Sequence, residues 1–328
     1  MKQIMITLLL APIVSFSQKK DTVLKYLDKD LNFTTPKNGI FVGVAIKGEE
    51  NWLLYSLYQD TTPLLRAYYK DKNLTVKDGP YTLYYPKYKK AKEGTYINNK
   101  MFGIWRFYYP NGNMKDSGFM KEDKLIGAWK SWYEDGTLMA EYNYADSISP
   151  IQTTLSQYNE HISIRSGPFK SWYQNGKEEA KGIFQNNIKV GTWEWYHENG
   201  NLATTEEYKK GQLVDLKCFD TTGKENGEYC SIEKPALLKK WGDYKEYIYQ
   251  NLTWPEEARR KGIEEDVVVN FKITKEGKLD RLEIKSEYPI LKKAVADLFE
   301  TMKDWDPAIS HNRSVEQEYE FIIPFKKN

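Results

Sequence analysis

Aromatic and apolar residues alternate with polar ones along residues 79–227, in segments that begin at regularly spaced glycines. The opening glycines follow one another at intervals of 24, 24, 40 and 24 residues and are Gly79, Gly103, Gly127, Gly167 and Gly191. The long interval contains 16 extra residues around Ser147 to Glu160. Alternation with a period of two is typical of strands that bury one face. The fixed period of the glycines predicts a repeat array.

Each unit carries the same aromatic and turn positions. An aromatic residue stands two positions after the opening glycine, as Tyr81, Trp105, Trp129, Phe169 and Trp193. In four units an Asn or Asp is followed by a second glycine nine positions after the first, as Gly112, Gly136, Gly176 and Gly200. Asn-Gly and Asp-Gly provide the positive φ angles of a type I′ turn, and aromatic residues favour strands. Each unit is therefore predicted to be one hairpin, and stacking of the hairpins buries the aromatic columns.

Two tryptophans in the last complete unit suggest either a binding surface or a scaffold. Trp193 and Trp195 lie two positions apart, so both side chains point to the same face of a strand. Such a pair would suit a shelf for sugar rings. The scaffold is favoured, because the same column is filled in every unit. His197 occupies the position that Tyr109 and Tyr133 hold in earlier units.

A different pattern begins after Gly227. The predicted elements are a helix at Trp254 to Lys261 entered through Pro255, strands at Val267 to Ile273 and Leu279 to Ile284, a helix at Pro289 to Met302, and a strand at Val315 to Phe325. This order predicts an antiparallel sheet with two helices. The fold class is thus a mainly β repeat array of stacked hairpins followed by a small α+β domain.

The beginning of the chain is expected to be an export signal. Lys2 precedes a short apolar stretch from Ile4 to Val14, and Ser15 to Ser17 offer small residues for cleavage near Ser17-Gln18. The apolar stretch is shorter than the roughly 20 residues that a membrane helix needs. The predicted segments are a signal peptide at 1–17, a leading β region at 18–78, hairpin repeats at 79–227, a linker at 228–243 and the α+β domain at 244–328. The mature protein is therefore expected in the periplasm or another exported compartment.

Cysteine usage fits an exported protein. Cys218 and Cys230 are the two cysteines of the chain. In an oxidising compartment they would form a disulfide worth about 3 kcal/mol in the chain-entropy model. Two free thiols in a loop are the alternative.

Charge and composition point to binding rather than chemistry. The formal net charge is +2, which indicates no attraction to nucleic acid, and membrane contact is expected only through a partner or an uncleaved signal. His161, His197 and His311 stand far apart without metal-ligand spacing. No phosphate loop, metalloprotease motif or nucleophile elbow occurs in the sequence. We therefore expect no enzyme, no metal and no cofactor.

The repeated unit G-x-W-x-x-Y-Y-x-x-G resembles the MORN-type repeat in its bacterial variant. The resemblance covers about residues 79–227. Its end units are atypical, as expected for caps: Tyr88 stands where the turn glycine belongs, and Asp215 replaces an opening glycine.

Residues 244–328 resemble the C-terminal domain of the TonB energy-transducer family. The resemblance rests on Trp254-Pro255-x-x-Ala258-Arg259-x-x-Gly262-Ile263, the turn at Gly277, Trp305-x-Pro307 and the closing Ile323-Pro324-Phe325. Asn312-Arg313-Ser314 stands where the family usually has Gly-x-Pro. A transducer of this family also has a membrane helix and a proline-rich spacer, and here the repeat block takes the place of the spacer.

The resemblance implies strand addition as the mode of binding. Domains of this family bind an extended segment of an outer-membrane transporter at a sheet edge, where main-chain hydrogen bonds supply affinity. The residues expected at this edge are Val315, Gln317, Tyr319 and Phe321, flanked by Gln250 and Trp254. The alternative places Trp254 and Tyr319 in the core, with the neighbouring glutamates protecting the edge from aggregation.

Three functions follow from these patterns. The first is an exported adaptor whose C-terminal domain binds an outer-membrane transporter or another envelope protein, in connection with transport. The second is an envelope or glycan-binding protein that uses the aromatic repeat face. The third is a structural envelope protein without a receptor ligand.

Overall fold

A computed structural model describes residues 21–146, 163–227 and 230–326. They divide into two units, the first of residues 21–146, 163–176 and 184–187, and the second of the other described residues from 177 onward. The predicted signal peptide, the extra residues of the long repeat interval and His161 lie outside the described residues.

The first unit is built from antiparallel strands. They are β1 (Thr22–Leu27), β2 (Phe33–Thr34), β3 (Phe41–Lys47), β4 (Trp52–Leu57), β5 (Pro63–Tyr69), β6 (Lys77–Tyr84), β7 (Lys90–Ile97), β8 (Lys100–Tyr108), β9 (Met114–Lys121), β10 (Lys124–Trp132), β11 (Leu138–Tyr144) and β12 (Gly167–Trp172). From β3 onward each strand pairs with the next, and β1 lies between β3 and β2. The predicted array of hairpins is confirmed.

The Asn-Gly turns differ from the predicted type I′. In the turn after β8, the amide of Gly112 donates to the carbonyl of Tyr109 at 2.9 Å, and Gly112 has a φ of 99°. Asn111 is not among the residues with positive φ, so the glycine alone is left-handed. The pairing then shifts register between Phe107 and Tyr108. This is the geometry of a three-residue loop with a glycine bulge.

Type I′ geometry occurs instead at the opposite ends of the strands. Both central residues have positive φ in the turns at Asn98-Asn99, Glu122-Asp123, Asn186-Asn187 and Lys210-Gly211. These two-residue loops join strand pairs such as β7 and β8. The array therefore alternates two turn types, and the sequence pattern revealed only the type that carries Asn-Gly or Asp-Gly.

The opening glycines lie at bulges. Gly127 has a φ of 62°, and the pairing of β10 with β9 passes from Ile126–Phe119 directly to Trp129–Gly118. Left-handed backbone costs glycine least because it has no Cβ, which explains why the residue recurs. The bulge turns the following tryptophan onto the buried face, where Trp129 is 5% exposed.

The second unit contains the last repeat strands and the α+β domain. Its elements are β13 (Glu178–Gln185), β14 (Ile188–Tyr196), β15 (Leu202–Lys209), β16 (Gln212–Cys218), β17 (Glu233–Lys234), β18 (Leu237–Leu238), α1 (Tyr244–Asn251), α2 (Glu256–Arg260), β19 (Glu265–Ile273), β20 (Leu279–Lys285), α3 (Pro289–Phe299), β21 (Trp305–Asp306), β22 (Ala308–Ser310), β23 (Arg313–Val315) and β24 (Gln317–Phe325). The end of β13 belongs to the first unit. The α+β domain is confirmed, and it has a third short helix, α1, in addition to the two that were predicted.

The core of the α+β domain lies between its main sheet and its helices. The sheet has the order β20-β19-β24. Val267, Val269 and Phe271 of β19 are buried together with Leu291 and Phe299 of α3. Alternation along β19 and helical spacing along α3 place these apolar side chains on facing surfaces.

The segment predicted as a linker is part of this domain. Glu233 and Lys234 of β17 pair with β22, and Leu237 and Leu238 of β18 pair with β21. Leu238 is buried in the domain core. These short runs have no periodicity and were therefore predicted to be a linker. The strands that pair with them, β22 and β21, lie about 70 residues later in the sequence, where a local pattern does not show them.

Candidate partner-binding surface

The strand β24 forms one edge of the main sheet. It pairs with β19 over nine consecutive residues without a register shift, from Glu265–Phe325 to Ile273–Gln317. Among the described residues no strand pairs with its other side. The opposite edge, β20, is interrupted by a register shift, and Arg281 there has a φ of 46°. A regular edge is the better template for an added strand, because bulges disrupt pairing.

The side chains predicted to contact the partner point instead into the core. The ring of Tyr319 is stacked on Phe271 with centroids 4.9 Å apart, and it meets Tyr244 edge-on at 5.1 Å. Phe321 packs against Tyr244 and Phe299. These residues hold β24 on the sheet and are partly buried against the core, as the alternative expected for Tyr319, and their contact with a partner stays a prediction.

Gln317 also has an internal role. The backbone amide of Ala236 donates to Gln317 Oε1 and to the Tyr319 hydroxyl, both at 3.0 Å. The Tyr319 hydroxyl donates in turn to Gln317 Oε1 at 2.6 Å. The segment between β17 and β18 is thereby tied to the start of β24.

The outward face of β24 is acidic. Glu316, Glu318 and Glu320 are exposed along the edge. Lys272 on the neighbouring strand forms ion pairs with Glu316 at 3.1 Å and with Asp280 at 3.2 Å, and these partners raise the pKa of Lys272. The exposed pairs contribute little to stability because solvent screens them. Glu318 lies 3.7 Å from Arg281, so the three glutamates outnumber these two cations and the face beside the open edge stays negative.

The other predicted site residues are spread over different elements. Val315 pairs with Ala308 in the small sheet β17-β22-β23 and is not part of β24. The Gln250 amide donates to Glu246 on its own helix at 3.1 Å. Trp254 lies against Phe325 at the far end of β24, and its buried indole N–H has no hydrogen-bond partner among the described residues. The six residues therefore do not form one surface.

The proposed sugar shelf is covered. The rings of Trp193 and Trp195 are stacked with centroids 6.0 Å apart, so they do share a face. Trp193 is only 1% exposed. The imidazole of His311 lies 3.6 Å from the Trp195 ring at an interplanar angle of 7°, and the guanidinium of Arg313 lies 4.9 Å from it. In this conformation the α+β domain, not a sugar, occupies the shelf.

A buried carboxylate lies beside this shelf. Glu206 is 0% exposed and accepts hydrogen bonds from Thr204 at 3.0 Å, Tyr208 at 2.9 Å and the indole of Trp195 at 3.2 Å. His311 Nδ1 is a further hydrogen-bond partner. Burial alone raises the pKa of Glu206, but the bonds from His311 and Tyr208 and the nearby Lys189 hold it below its ordinary value. Glu206 is therefore ionised at neutral pH.

The imidazole beside Glu206 has a lowered pKa. Burial lowers the pKa of His311, and this effect outweighs the attraction of the carboxylate. Because a carboxylate only accepts hydrogen bonds, His311 carries its proton on Nδ1 and donates it to Glu206. The sequence pattern did not reveal this pair, since its members are 105 residues apart.

His197 has the role that its place in the repeat predicts. Its Nε2 lies 3.0 Å from the carbonyl oxygen of Phe219, and therefore acts as donor. Tyr109 and Tyr133 donate in the same way to Trp132 and Trp172, both at 2.9 Å. His197 is thus a structural residue of the repeat scaffold.

The two cysteines form a disulfide in the structure. The bridge joins the end of β16 to the residue that precedes Ser231, across a separation of 12 positions. Cys218 is 1% exposed.

No helix in residues 21–146, 163–227 or 230–326 is long and apolar enough to cross a membrane.

Family comparison matches residues 250–326 to the Gram-negative bacterial TonB protein C-terminal family. It matches residues 103–122, 125–146 and 189–210 to the MORN repeat variant. No curated protein matches the chain. TonB-type domains belong to envelope proteins and interact with envelope or outer-membrane proteins, and MORN repeats indicate interaction with proteins or membranes. The chain therefore combines repeats of the MORN variant family with a domain of the TonB C-terminal family.

Proposed function

We propose that this protein is an exported adaptor of the bacterial envelope. Its TonB-type domain binds an extended segment of a partner, an outer-membrane transporter or another envelope protein, by strand addition to β24. The observation that carries the proposal is the nine-residue edge of β24, which is paired on one side only among the described residues. The function is binding, linked to transport, rather than catalysis.

Main-chain pairing would supply the affinity. An edge strand presents alternate N–H and C=O groups that an extended peptide can satisfy. Pro324 lacks an N–H group, so the usable edge extends from Gln317 to Ile323. The inward side chains of Tyr319 and Phe321 hold the strand on the sheet, and binding needs no rearrangement of the core.

The outward glutamates would supply selectivity. Residues that lie opposite each other on neighbouring strands share a face, and opposite charges there are favourable. An added strand with basic or amide side chains beside Glu318 and Glu320 is therefore preferred over an acidic one. Export through the N-terminal signal would bring the domain to partners of this kind in the periplasm.

The first experiment identifies a ligand and locates it. Immobilised protein is incubated with detergent-solubilised outer membranes, and retained proteins are identified by mass spectrometry. The N-terminal peptide of a retained barrel is then titrated while amide hydrogen exchange is followed. Strand addition predicts slower exchange for amides between Gln317 and Ile323 and unchanged exchange in β20. Protection confined to another element would overturn the proposal.

A charge reversal at each edge tests the selectivity. Glu318→Lys/Glu320→Lys is expected to weaken binding of a basic peptide by about tenfold or more, since two favourable pairs become repulsive. Glu283→Lys is the matched control, because Glu283 and Glu320 both lie opposite Asn270, on different edges of the same face. Equal effects of the two changes would contradict binding at β24.

A further inference from the structure

The β22–β23 hairpin ends in a two-residue tip. His311 and Asn312 join Ser310 to Arg313, and their φ angles are 50° and 58°. Asn and His are both enriched in left-handed backbone, and this is the geometry of a type I′ hairpin turn. The contacts of the tip indicate what it does.

The backbone of the tip is held by two segments of the chain. The amides of His311 and Asn312 donate to the carbonyls of Ile232 at 2.6 Å and Ser231 at 2.8 Å. The Asn312 side-chain amide donates to the carbonyl of Phe219 at 3.0 Å. The first segment directly follows Cys230 and the second directly follows Cys218. The disulfide therefore joins the two segments that hold the tip.

The side chains of the hairpin are received by the last repeat strands. His311 stacks on Trp195 of β14 and donates to Glu206 of β15. Arg313 lies over the same Trp195 ring, and its guanidinium donates to Glu179 of β13 at 3.0 Å. The receiving surface is thus an aromatic ring with two carboxylates beside it. It suits a tip with an imidazole and a guanidinium, because both groups stack on the ring and donate to a carboxylate.

This receiving surface is costly to leave empty. Without the hairpin, Glu206 would keep its charge in the repeat core with one donor fewer, and Trp195 would be exposed. A further contact at this interface is the exposed ion pair between Lys275 and Glu198, 2.7 Å apart, and such pairs contribute little. The buried contacts of the hairpin therefore contribute more to the attachment than this pair does.

We propose that the β22–β23 hairpin is a latch that docks the TonB-type domain onto the terminal MORN-type repeat, and that the Cys218–Cys230 disulfide keeps it closed. The surface formed by Trp195, Glu206 and Glu179 is the receptor for the His311–Arg313 tip of the same chain. Oxidation after export would thus join the two modules into one body, and reduction would separate them.

The reductive step balances with a dithiol. Two electrons and two protons convert the disulfide into two thiols, and dithiothreitol supplies both as it closes to its own cyclic disulfide. Release of Cys230 from Cys218 frees the Ser231–Ile232 carbonyls from their fixed position beside Phe219. The hydrogen bonds from the His311 and Asn312 amides to these carbonyls then weaken.

Amide hydrogen exchange of the full chain tests the latch. His311→Asn keeps a residue that tolerates left-handed backbone but removes the stacking and the bond to Glu206. We expect exchange at residues 193–196, 204–206 and 311–312 to accelerate by about tenfold or more, with β19 unchanged. Lys275→Ala is the matched control at the same interface and should exchange like the wild type. An unchanged His311→Asn profile, or acceleration that is equal throughout β19, would overturn the latch.

A second measurement tests the role of the disulfide without altering the hairpin. Wild-type protein is treated with dithiothreitol, and alkylation with mass measurement verifies that the bond is reduced. Exchange at 231–232 and 311–312 should accelerate, and Cys218→Ser/Cys230→Ser should show the fast profile with or without reductant. If the reduced protein and this variant both exchange like the oxidised wild type, the disulfide does not control the latch.

Discussion

The indole ring of Trp129 lies flat against Gly118 on the neighbouring strand, and its Nε1 donates to the carbonyl of Phe119 at 3.0 Å. A Cβ added at Gly118 would overlap the ring. The same relationship joins Trp105 to Gly94. The glycine eleven positions before each of these tryptophans is therefore part of the repeat, and it makes room for an aromatic ring at the sheet surface.

Replacement of this glycine should destabilise the array. Gly118→Ala places a methyl group inside the Trp129 ring position, and overpacking of this kind costs about 1–3 kcal/mol. Urea unfolding followed by tryptophan fluorescence measures the loss. Gly227→Ala is the control, since a Cβ there meets no atom of the described residues within 4 Å, and its effect should stay within about 0.5 kcal/mol. Equal stability of the two variants would refute the role given to Gly118.

The position of His197 should accept tyrosine. His197→Tyr restores the residue found in earlier units and is expected to change the free energy of unfolding by less than about 0.5 kcal/mol. His197→Phe removes the donor to Phe219 and should cost roughly 0.5–1 kcal/mol. The cost is at the low end because Asn312 also donates to the Phe219 carbonyl. Chemical denaturation compares the two, and a phenylalanine variant as stable as the tyrosine variant would contradict the hydrogen-bonding role.

Loss of the disulfide should lower the stability of the second unit. The bridge closes a loop with a separation of 12 positions. In the chain-entropy model a loop of this length contributes about 3 kcal/mol, so Cys218→Ser/Cys230→Ser is expected to unfold at lower denaturant concentration. The same shift should appear in the wild type after reduction and be absent when the variant is reduced.

The contribution of His311 should depend on pH. Burial lowers its folded-state pKa below the ordinary 6.5. Protonation is therefore easier in the unfolded chain, so the stabilisation is complete above about pH 6.5 and is lost as the pH falls through the folded-state pKa. Glu206 stays ionised in this range because its pKa is also lowered, and Lys189 and Arg313 are the cations facing the imidazole.

The measurement is the difference in unfolding free energy between wild type and His311→Asn, from about pH 8 to pH 5. The difference should be largest at high pH and shrink as the solution becomes acidic. Growth of the difference on acidification would mean that the folded-state pKa of His311 is raised and that the pair is a salt bridge.

Local signals were sufficient for the strands of the array and for the longer elements of the α+β domain. The strands of the array follow from alternation and from the glycine spacing, since both properties depend on neighbours along the chain. The helix from Pro289 and the strand around Phe271 were predicted in the same way. The turn type at Gly112 was not predicted. A glycine with positive φ fits both a two-residue type I′ loop and a three-residue loop with a bulge, and the length of the loop decides between them.

The candidate surface was only partly predictable. The resemblance to the TonB family implied an open edge at the last strand, and β24 lies at the edge of its sheet. It did not show which side chains face the core. Alternation along Gln317 to Phe321 allows either the odd-numbered or the even-numbered residues to point inward until the core is known. The inward position of Tyr319 is decided by Phe271 and Tyr244, which reach it from other elements.

What the sequence by itself determined is the repeat period, the order of strands and helices, and the families that the two modules resemble. These properties follow from short-range periodicity and from turn residues, which act over a few positions. Only the tertiary structure decided that the supposed linker is sheet, that the aromatic shelf is covered, and that His311 meets Glu206. Each of those depends on which distant surfaces become buried together, and burial is a property of the packed chain rather than of any segment in it.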